Sequence, residues 1–340
     1  MATSSRLTIT VVGSLNYDST KYVDRLPRAG ESVTALSSRS GSGGKGANQA
    51  LAALRLSRQA QGMDGDIDVS MIGAVGRDPV GQEMKDALED DGVDVSRVRV
   101  NKDYMTGQAD IMVEIQTGES RVCLTTGANH SLRPHDFQTL ESISGRQGVK
   151  PDLLILQLEI HRDVVEQILM TAKRENIPVL LNPAPAINLL SPSWNAVTHL
   201  IANETEAAAL SGRRLEAIQA QGYTSGWKSV ADEFLGYGVK YVVITLGANG
   251  AIYADRIGEG KHVEAEKVRK VVDATTAGDT FVGAYAASIV RQGPNNLDMG
   301  EAVRRASKAA AYVVQRAGTQ ATIPWAGQLL DRRQSIYESS

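Results

Sequence analysis

The chain has 340 residues, 42% of them hydrophobic and 22% charged, with a formal net charge of −3. This is the balance of a globular protein large enough for one big α/β domain with small additions, or two modest ones, and it needs no disulfide or metal to hold its core. No Lys/Arg block forms a basic face, no apolar run approaches the ~18 residues of a membrane span, and one cysteine (Cys123) cannot staple the chain to itself, which argues against nucleic-acid binding, membrane insertion and a disulfide scaffold.

In chain order, apolar strands are expected at 7–13, 69–75, 152–158, 178–182, 197–202, 241–247 and 251–254. Several are apolar without alternation, as in the middle of a parallel sheet covered on both faces. The helices between them are amphipathic. Val164, Val165, Ile168, Leu169 and Ala172 make one apolar face; Trp227, Val230, Ala231, Phe234 and Leu235 make another; Val303, Ala306, Ala310, Val313 and Val314 make a third. Repeated strand–helix order predicts a three-layer α/β/α, doubly wound, mostly parallel sheet. Two stretches break the rhythm, 19–42 and 103–127; their short alternating segments, with a TGES turn at 117–120, read as a small antiparallel sheet, either a lid or an ordinary edge hairpin. Cys123 lies in the second stretch and is expected to pack as a small apolar residue. The segments 58–68 and 211–227 read as polar surface insertions. The five histidines show no ligand spacing and are expected at the surface or in local hydrogen bonds.

The string Gly41-Ser-Gly-Gly-Lys-Gly46 matches G-x-G-x-x-G, but the dinucleotide motif must follow the first strand of a βαβ unit, and here that strand ends at Gly13. Asp64, Asp66 or Asp68 could still serve as the ribose-binding acid of an NAD-dependent oxidoreductase. The Walker pattern fails, because Arg39 stands where its first glycine belongs and Gly46 follows Lys45. Bare backbone beside Lys45 and Asn48 at a helix entrance suits a polyhydroxylated ligand approached closely from several sides.

Further along, a strand is expected to end near Val272, followed by small residues, Gly278-Asp279 and a helix carrying Phe281, Val282, Tyr285 and Ile289. The unpaired N–H groups of a helix start favour anionic oxygens. An aspartate there has a plain role in stabilising the helix; beside a bound phosphate it costs energy unless it accepts a proton from an attacking hydroxyl. Asn203 and Glu206 form a capping-box pair that could also organise Mg²⁺ and its waters, and the TLGANG loop (245–250) either borders a nucleotide or simply turns.

Taken together and in order, GSLNYD (13–18), GGKGANQA (43–50), GAVGRDPVG (73–81), QLE (157–159), LNPAPA (181–186), NETEA (203–207), TLGANG (245–250) and DATTAGDTF (273–281) resemble the ribokinase branch of the ribokinase-type sugar kinases, the phosphofructokinase-B family, across nearly the whole chain. The resemblance implies a single domain over 1–340 with a β-clasp lid that also forms a homodimer interface. It implies ATP-dependent phosphorylation of a sugar's primary hydroxyl, D-ribose O5 foremost, with deoxyribose, adenosine or fructose as alternatives in the same fold, and a non-catalytic sugar-binding protein as a further one. Asn16, Asp18, Gly44, Lys45, Gly46, Ala47, Asn48 and Glu159 would contact the sugar, and Asp279 would be the catalytic base. Asn203, Thr245, Leu246, Gly247, Ala248, Asn249, Gly250, Thr276, Ala277, Gly278, Asp279 and Ser307 would contact ATP. Asn203 and Glu206 would support Mg²⁺ through waters. Asp273, Thr275, Val313, Arg316, Gly318 and Thr322 would hold an activating K⁺, mostly through backbone carbonyls. A cytoplasmic location, with nuclear presence left open, goes with this reading.

Overall fold

The computed structural model describes residues 6–116, 120–256, 258 and 260–330. Nine strands form the main sheet: β1 (Leu7–Val12), β4 (Ile67–Gly76), β5 (Asp94–Asn101), β8 (Leu153–Leu156), β9 (Val179–Leu181), β10 (His199–Asn203), β11 (Tyr241–Thr245), β12 (Ala251–Asp255) and β13 (Lys261–Val263). Their order is β13-β12-β11-β10-β9-β8-β1-β4-β5. From β11 to β5 every pairing is parallel, and only β12 and β13 run antiparallel at one edge. The central strands are apolar on both faces because each face meets a helical layer. Ile9 and Val11 point into a core shared with α1 (Lys45–Arg55), α7 (Ala277–Gln292) and α8 (Met299–Val313). Val12, Leu154 and Leu156 point into the opposite core, with α3 (Arg162–Arg174) and α6 (Tyr223–Gly236).

A second sheet has the order β3-β2-β6-β7, built from β2 (Asn16–Val23), β3 (Ser37–Gly43), β6 (Gly107–Glu114) and β7 (Ser120–Thr125). It occupies the two stretches that lack helical periodicity. Its β2–β6 pairing is parallel, so it is not purely antiparallel as expected. Of the turn expected at 117–120, residues 117–119 lie outside the described residues and Ser120 begins β7.

Three expectations change. No regular element lies between Val263 and Ala277, so no strand leads to Val272; Val271 and Val272 are exposed, and the Val272 amide donates to Val314 O (2.7 Å) instead of joining a sheet. Cys123 is exposed, because β7 is the edge strand of the small sheet and has no core beneath it. The segment 211–227 is not merely surface: it folds into α5 (Leu215–Gln219) and the start of α6, and buries Ile218 and Trp227 completely. Histidines also divide. His199 is buried, stacked on Tyr241 and hydrogen-bonded to the Tyr285 hydroxyl (3.1 Å), and burial aided by the Lys240 charge pushes its pKa down to about 3.

Candidate active site

Strands β1, β8 and β10 end on the same side of the sheet, where an open α/β fold gathers its ligands. After β1 the chain turns through Gly13 and Ser14 and enters β2 at Asn16. Directly opposite, β3 delivers Gly44 and the start of α1. Gly44 has φ +87°, and a Cβ there would lie 2.5 Å from the Asn16 nitrogen; a Cβ on Gly46 would lie 2.7 Å from Ser14 N. Only glycine lets the two turns approach this closely.

Glu159, just beyond β8, ties the two turns together. Its Oε2 accepts from Ser14 Oγ (2.5 Å), Asn16 Nδ2 (3.2 Å) and the Lys45 backbone N–H (3.1 Å). Asn16 is oriented from its other end by Asn129, whose Nδ2 donates to Asn16 Oδ1 at 2.7 Å. Asp18 lies two residues further along the same face of β2. Burial, then the charges of Glu159 and Asp279, push its pKa up to about 7, against a smaller opposing effect of Lys45. Burial disfavours the Lys45 ammonium, but Asp279, Glu159, Glu206 and Asp18 together outweigh it and hold its pKa above the usual lysine value. The cluster is therefore a polar cup with one cation serving four carboxyl groups.

Asp279 forms the floor of the cup. It sits in the first turn of α7, 5% exposed, and both of its oxygens are engaged from α1: Asn48 Nδ2 donates to Oδ2 (3.0 Å) and Gln49 Nε2 to Oδ1 (2.9 Å). Thr276 caps this helix, with Ala277 and Gly278 as its first residues. A Cβ on Gly278 would meet no protein atom within 4 Å, so the helix entrance opens onto free space. Bare N–H groups facing such a space suit a phosphate.

At the far side, Asn203 ends β10 and caps α4 (Glu204–Leu210). The capping box is complete: Asn203 Oδ1 accepts from Glu206 N (2.8 Å) and Glu206 Oε2 from Asn203 N (2.9 Å). Burial raises the Glu206 carboxyl pKa despite those bonds and the Lys45 charge, and Asp279 adds to the rise. The loop Thr245–Gly250 turns tightly with Gly247 and Gly250 at positive φ, and Asn249 Nδ2 donates to the Tyr223 hydroxyl (2.7 Å). Leu246 is buried beneath this loop, while Gly247 and Ala248 are exposed. Ser307 lies half-buried on α8, the helix that packs against β12 and β13.

Of the six residues expected around a monovalent cation, Val313 ends α8, Arg316, Gly318 and Thr322 follow it, and Asp273 and Thr275 lie in the segment before α7. Asp273 Oδ1 accepts from Thr275 N (2.9 Å) and Thr275 Oγ1 (2.6 Å), and its Oδ2 accepts from Gly318 N (3.3 Å). Thr322 Oγ1 donates to Thr319 O (2.7 Å). Val313 O accepts from Arg316 N (2.9 Å), and the Arg316 guanidinium covers the Tyr312 ring. A cleft of about 1050 Å³ runs from these loops to Asp18 beneath the small sheet, lined on its way by Thr20, Arg39 and Ile111. Asp279 and Asn203 do not line it, so the chemistry belongs to the cup at its end rather than to the cleft itself.

The glycine string does not stand in a dinucleotide context. It joins β3 of the small sheet to α1, and the acids that could have held a ribose are paired elsewhere: Asp66 with Arg291, and Asp64 and Asp68 with Arg6. Several residues that shape the site gave no signal in the sequence: Ser14, Gln49, Asn129, Gln157, Asn182 and Gln320 act through partners far away in the chain. Ser14, Gln49, Gln157 and Asn182 do lie inside quoted motifs, and that proximity was the one available hint.

Comparison with known proteins agrees with this geometry. The pfkB family carbohydrate kinase model matches residues 6–326. The chain is 39% identical over 321 residues to a ribokinase of Schizosaccharomyces pombe, covering 94% of this chain and 95% of that one. It is 33% identical over 326 residues to a ribokinase of Haemophilus influenzae, with 96% and 98% covered. Among solved structures, Arabidopsis thaliana ribokinase complexed with ribose and ATP superposes with a TM-score of 0.80 at 25% identity, covering 96% of this chain and 98% of that one.

Proposed function

The chain belongs to the pfkB family of carbohydrate kinases, and from that premise we propose that it transfers the γ-phosphoryl group of ATP to O5 of D-ribose, giving D-ribose 5-phosphate and ADP. The observation that carries this reading is Asp279: a buried carboxylate at a helix entrance, held on both oxygens, beside a cup of hydrogen-bonding groups. The ribose and ATP bound by the Arabidopsis relative support the substrate pair.

In the cup, Asn16, Asp18, Asn48 and Glu159 bond the sugar hydroxyls above the Gly44–Asn48 backbone, Ala47 packing beneath. Asp279 accepts the O5 proton as O5 bonds to the γ-phosphorus; the bond from that phosphorus to the bridging oxygen breaks, and its electron pair leaves with ADP. Loose phosphoryl transfer needs orientation more than a strong base, which suits a carboxylate. The N–H groups of Ala277 and Gly278 stabilise charge on the transferred oxygens. Asn203, the Thr245–Gly250 loop and Ser307 face the nucleotide. Among the described residues no three His, Cys, Asp or Glu are grouped to hold a metal; Mg²⁺ would arrive on ATP and keep several of its waters. Mg²⁺ bound in this way, with the oxygens of Asn203 and Glu206 as hard partners through water, offsets phosphate charge. Val313 at the end of α8, with Asp273, Thr275, Arg316, Gly318 and Thr322 beside it, would offer carboxylate, hydroxyl and carbonyl oxygens to K⁺. Among the described residues no helix is long and apolar enough to cross a membrane; a cytoplasmic place of work is part of the proposal.

The test is ADP release across a panel of sugars, in potassium and in a bulky organic cation, for the parent and Asp279→Asn. We expect ribose-dependent turnover that is higher in potassium, and a loss of about 10²- to 10⁴-fold in Asp279→Asn with ATP binding retained. Near-native turnover in that variant removes Asp279 from its role.

A further inference from the structure

Asp279 is held by two side-chain amides, and each of these is held in turn by a glutamine. An ionised carboxylate only accepts hydrogen bonds, so Asn48 and Gln49 must both turn their NH₂ groups toward it. Their carbonyl oxygens then point away and need donors. Gln320 Nε2 donates to Asn48 Oδ1 at 3.0 Å, and Gln157 Nε2 donates to Gln49 Oε1 at 2.7 Å. All five side chains are buried. Beyond the two glutamines the surroundings differ. The Gln320 main chain is anchored through its backbone carbonyl, which accepts from Arg55 Nη1 (2.9 Å); Arg55 stands two turns beyond Asn48 on α1 and pairs with Asp91 (2.6 Å). Gln157 Oε1 has no hydrogen-bond partner and packs against the Gly13 Cα, where any Cβ would collide with it.

An amide is nearly symmetric in shape and sits as readily one way round as the other unless its partners differ. The Asp279 carboxylate supplies one half of that difference and Gln320 the other. Without it, Asn48 can rotate by half a turn and set its carbonyl oxygen against the Asp279 carboxylate, which disfavours the ionised form and swings it away from the sugar hydroxyl.

We propose that Gln320, acting through Asn48, is a positioning residue for the Asp279 carboxylate, with Gln157 and Gln49 as the matching arm on its other oxygen. This rests on Asp279 being the base. Gln320 lies 41 residues after the AGD turn, between Gly318 and Thr322, and its side-chain amide donates to Asn48 rather than to Asp279; its influence passes through the Asn48 amide.

A double-mutant cycle tests the arm. Turnover and the KM for ribose and for ATP are measured for Gln320→Leu, Asn48→Ala and the pair. We expect Gln320→Leu to lower kcat by about tenfold, the worth of one hydrogen bond, with the KM for ATP unchanged. In the Asn48→Ala background the same change should alter kcat by roughly twofold or less. An unchanged kcat in Gln320→Leu, or an equal loss in both backgrounds, overturns the relay. Should Gln320→Leu not fold, Gln320→Glu replaces it: the introduced carboxyl donates only while protonated, so turnover relative to the parent should fall as pH rises, and a ratio independent of pH overturns the proposal. Failure of the relay is separable from failure of the base, because an inactive Asp279→Asn alongside additive Gln320 effects removes the relay alone.

Discussion

Asp18 faces two carboxylates, Glu159 and Asp279, and one ammonium, Lys45, in a site that water barely reaches. Its folded pKa of about 7 stands above the ordinary value of 3.8, so the native state keeps a proton that the unfolded chain has already released. The sign follows from linkage: the native state is favoured while that proton stays bound in acid, and the advantage is lost as pH rises from about 4 through about 7. Function pulls the other way, since the ionised carboxylate is the better acceptor for a sugar hydroxyl. Calorimetric titration of ribose should therefore show affinity falling as pH drops through about 7. Asp18→Asn should unfold at a higher temperature than the parent in mildly alkaline buffer while binding ribose about 10- to 100-fold more weakly, the cost of one hydrogen bond to a charged group. A variant less stable than the parent under those conditions would mean that the carboxylate is better paired than its surroundings imply.

Helices α1 and α7 meet at glycine. Gly283 lies one turn beyond Asp279, and a Cβ there would sit 2.6 Å from Ala53 N and 2.8 Å from the Ala52 carbonyl carbon. Ala52 and Ala53 lie one turn beyond Asn48 and Gln49, so the same close approach brings those amides to within 3.0 Å of the Asp279 carboxylate. Gly283→Ala should push the helices apart, costing about 1–3 kcal/mol of stability by overpacking and lowering kcat without touching substrate. The urea midpoint and turnover check it, and a change in neither means the helices have room to spare. The elements themselves were largely legible: apolar periodicity marks α3, α6 and α8 because each buries one stripe, and the central strands are apolar because both faces are covered. Strand β5 was not, because DVSRVRVN alternates at a sheet edge and reads as polar. Within the site, the glycine turns and Asp279 were legible because close backbone approach and a helix start are local features. The amide network was not, since a glutamine has no local signature when its partner lies 108 residues away, as for Gln49 and Gln157, or when an asparagine's lies 272 away, as for Asn48 and Gln320.

On the scale of the whole molecule, the small sheet and the cup are one continuous structure, because β2 begins at Asn16 and carries Asp18 before it leaves the main body. Any movement of that sheet moves two sugar-facing side chains with it. Its face toward the cleft carries Thr20, Tyr22, Ile111, Val113 and Val122, with register pairs Thr20↔Ile111 and Ile111↔Val122 setting them side by side. Val122 is 61% exposed and Leu124 on the same face 37%, an apolar surface that a monomer leaves wet. A second copy laid sheet against sheet, the homodimer that the family resemblance implies, would cover it. Burying that face would also stiffen β2 and so order Asn16 and Asp18 before the sugar arrives, which couples assembly to substrate affinity rather than to the phosphoryl step. Val122→Asp sets a charge into the centre of such an interface. Sedimentation should then show a dimer for the parent and a monomer for the variant, and the variant's KM for ribose should rise at least about tenfold while the KM for ATP changes little, because the nucleotide loops lie on the main sheet. A parent that sediments as a monomer, or a variant that remains dimeric, would place the contact between copies on another surface and leave the exposed sheet to close over the sugar on its own.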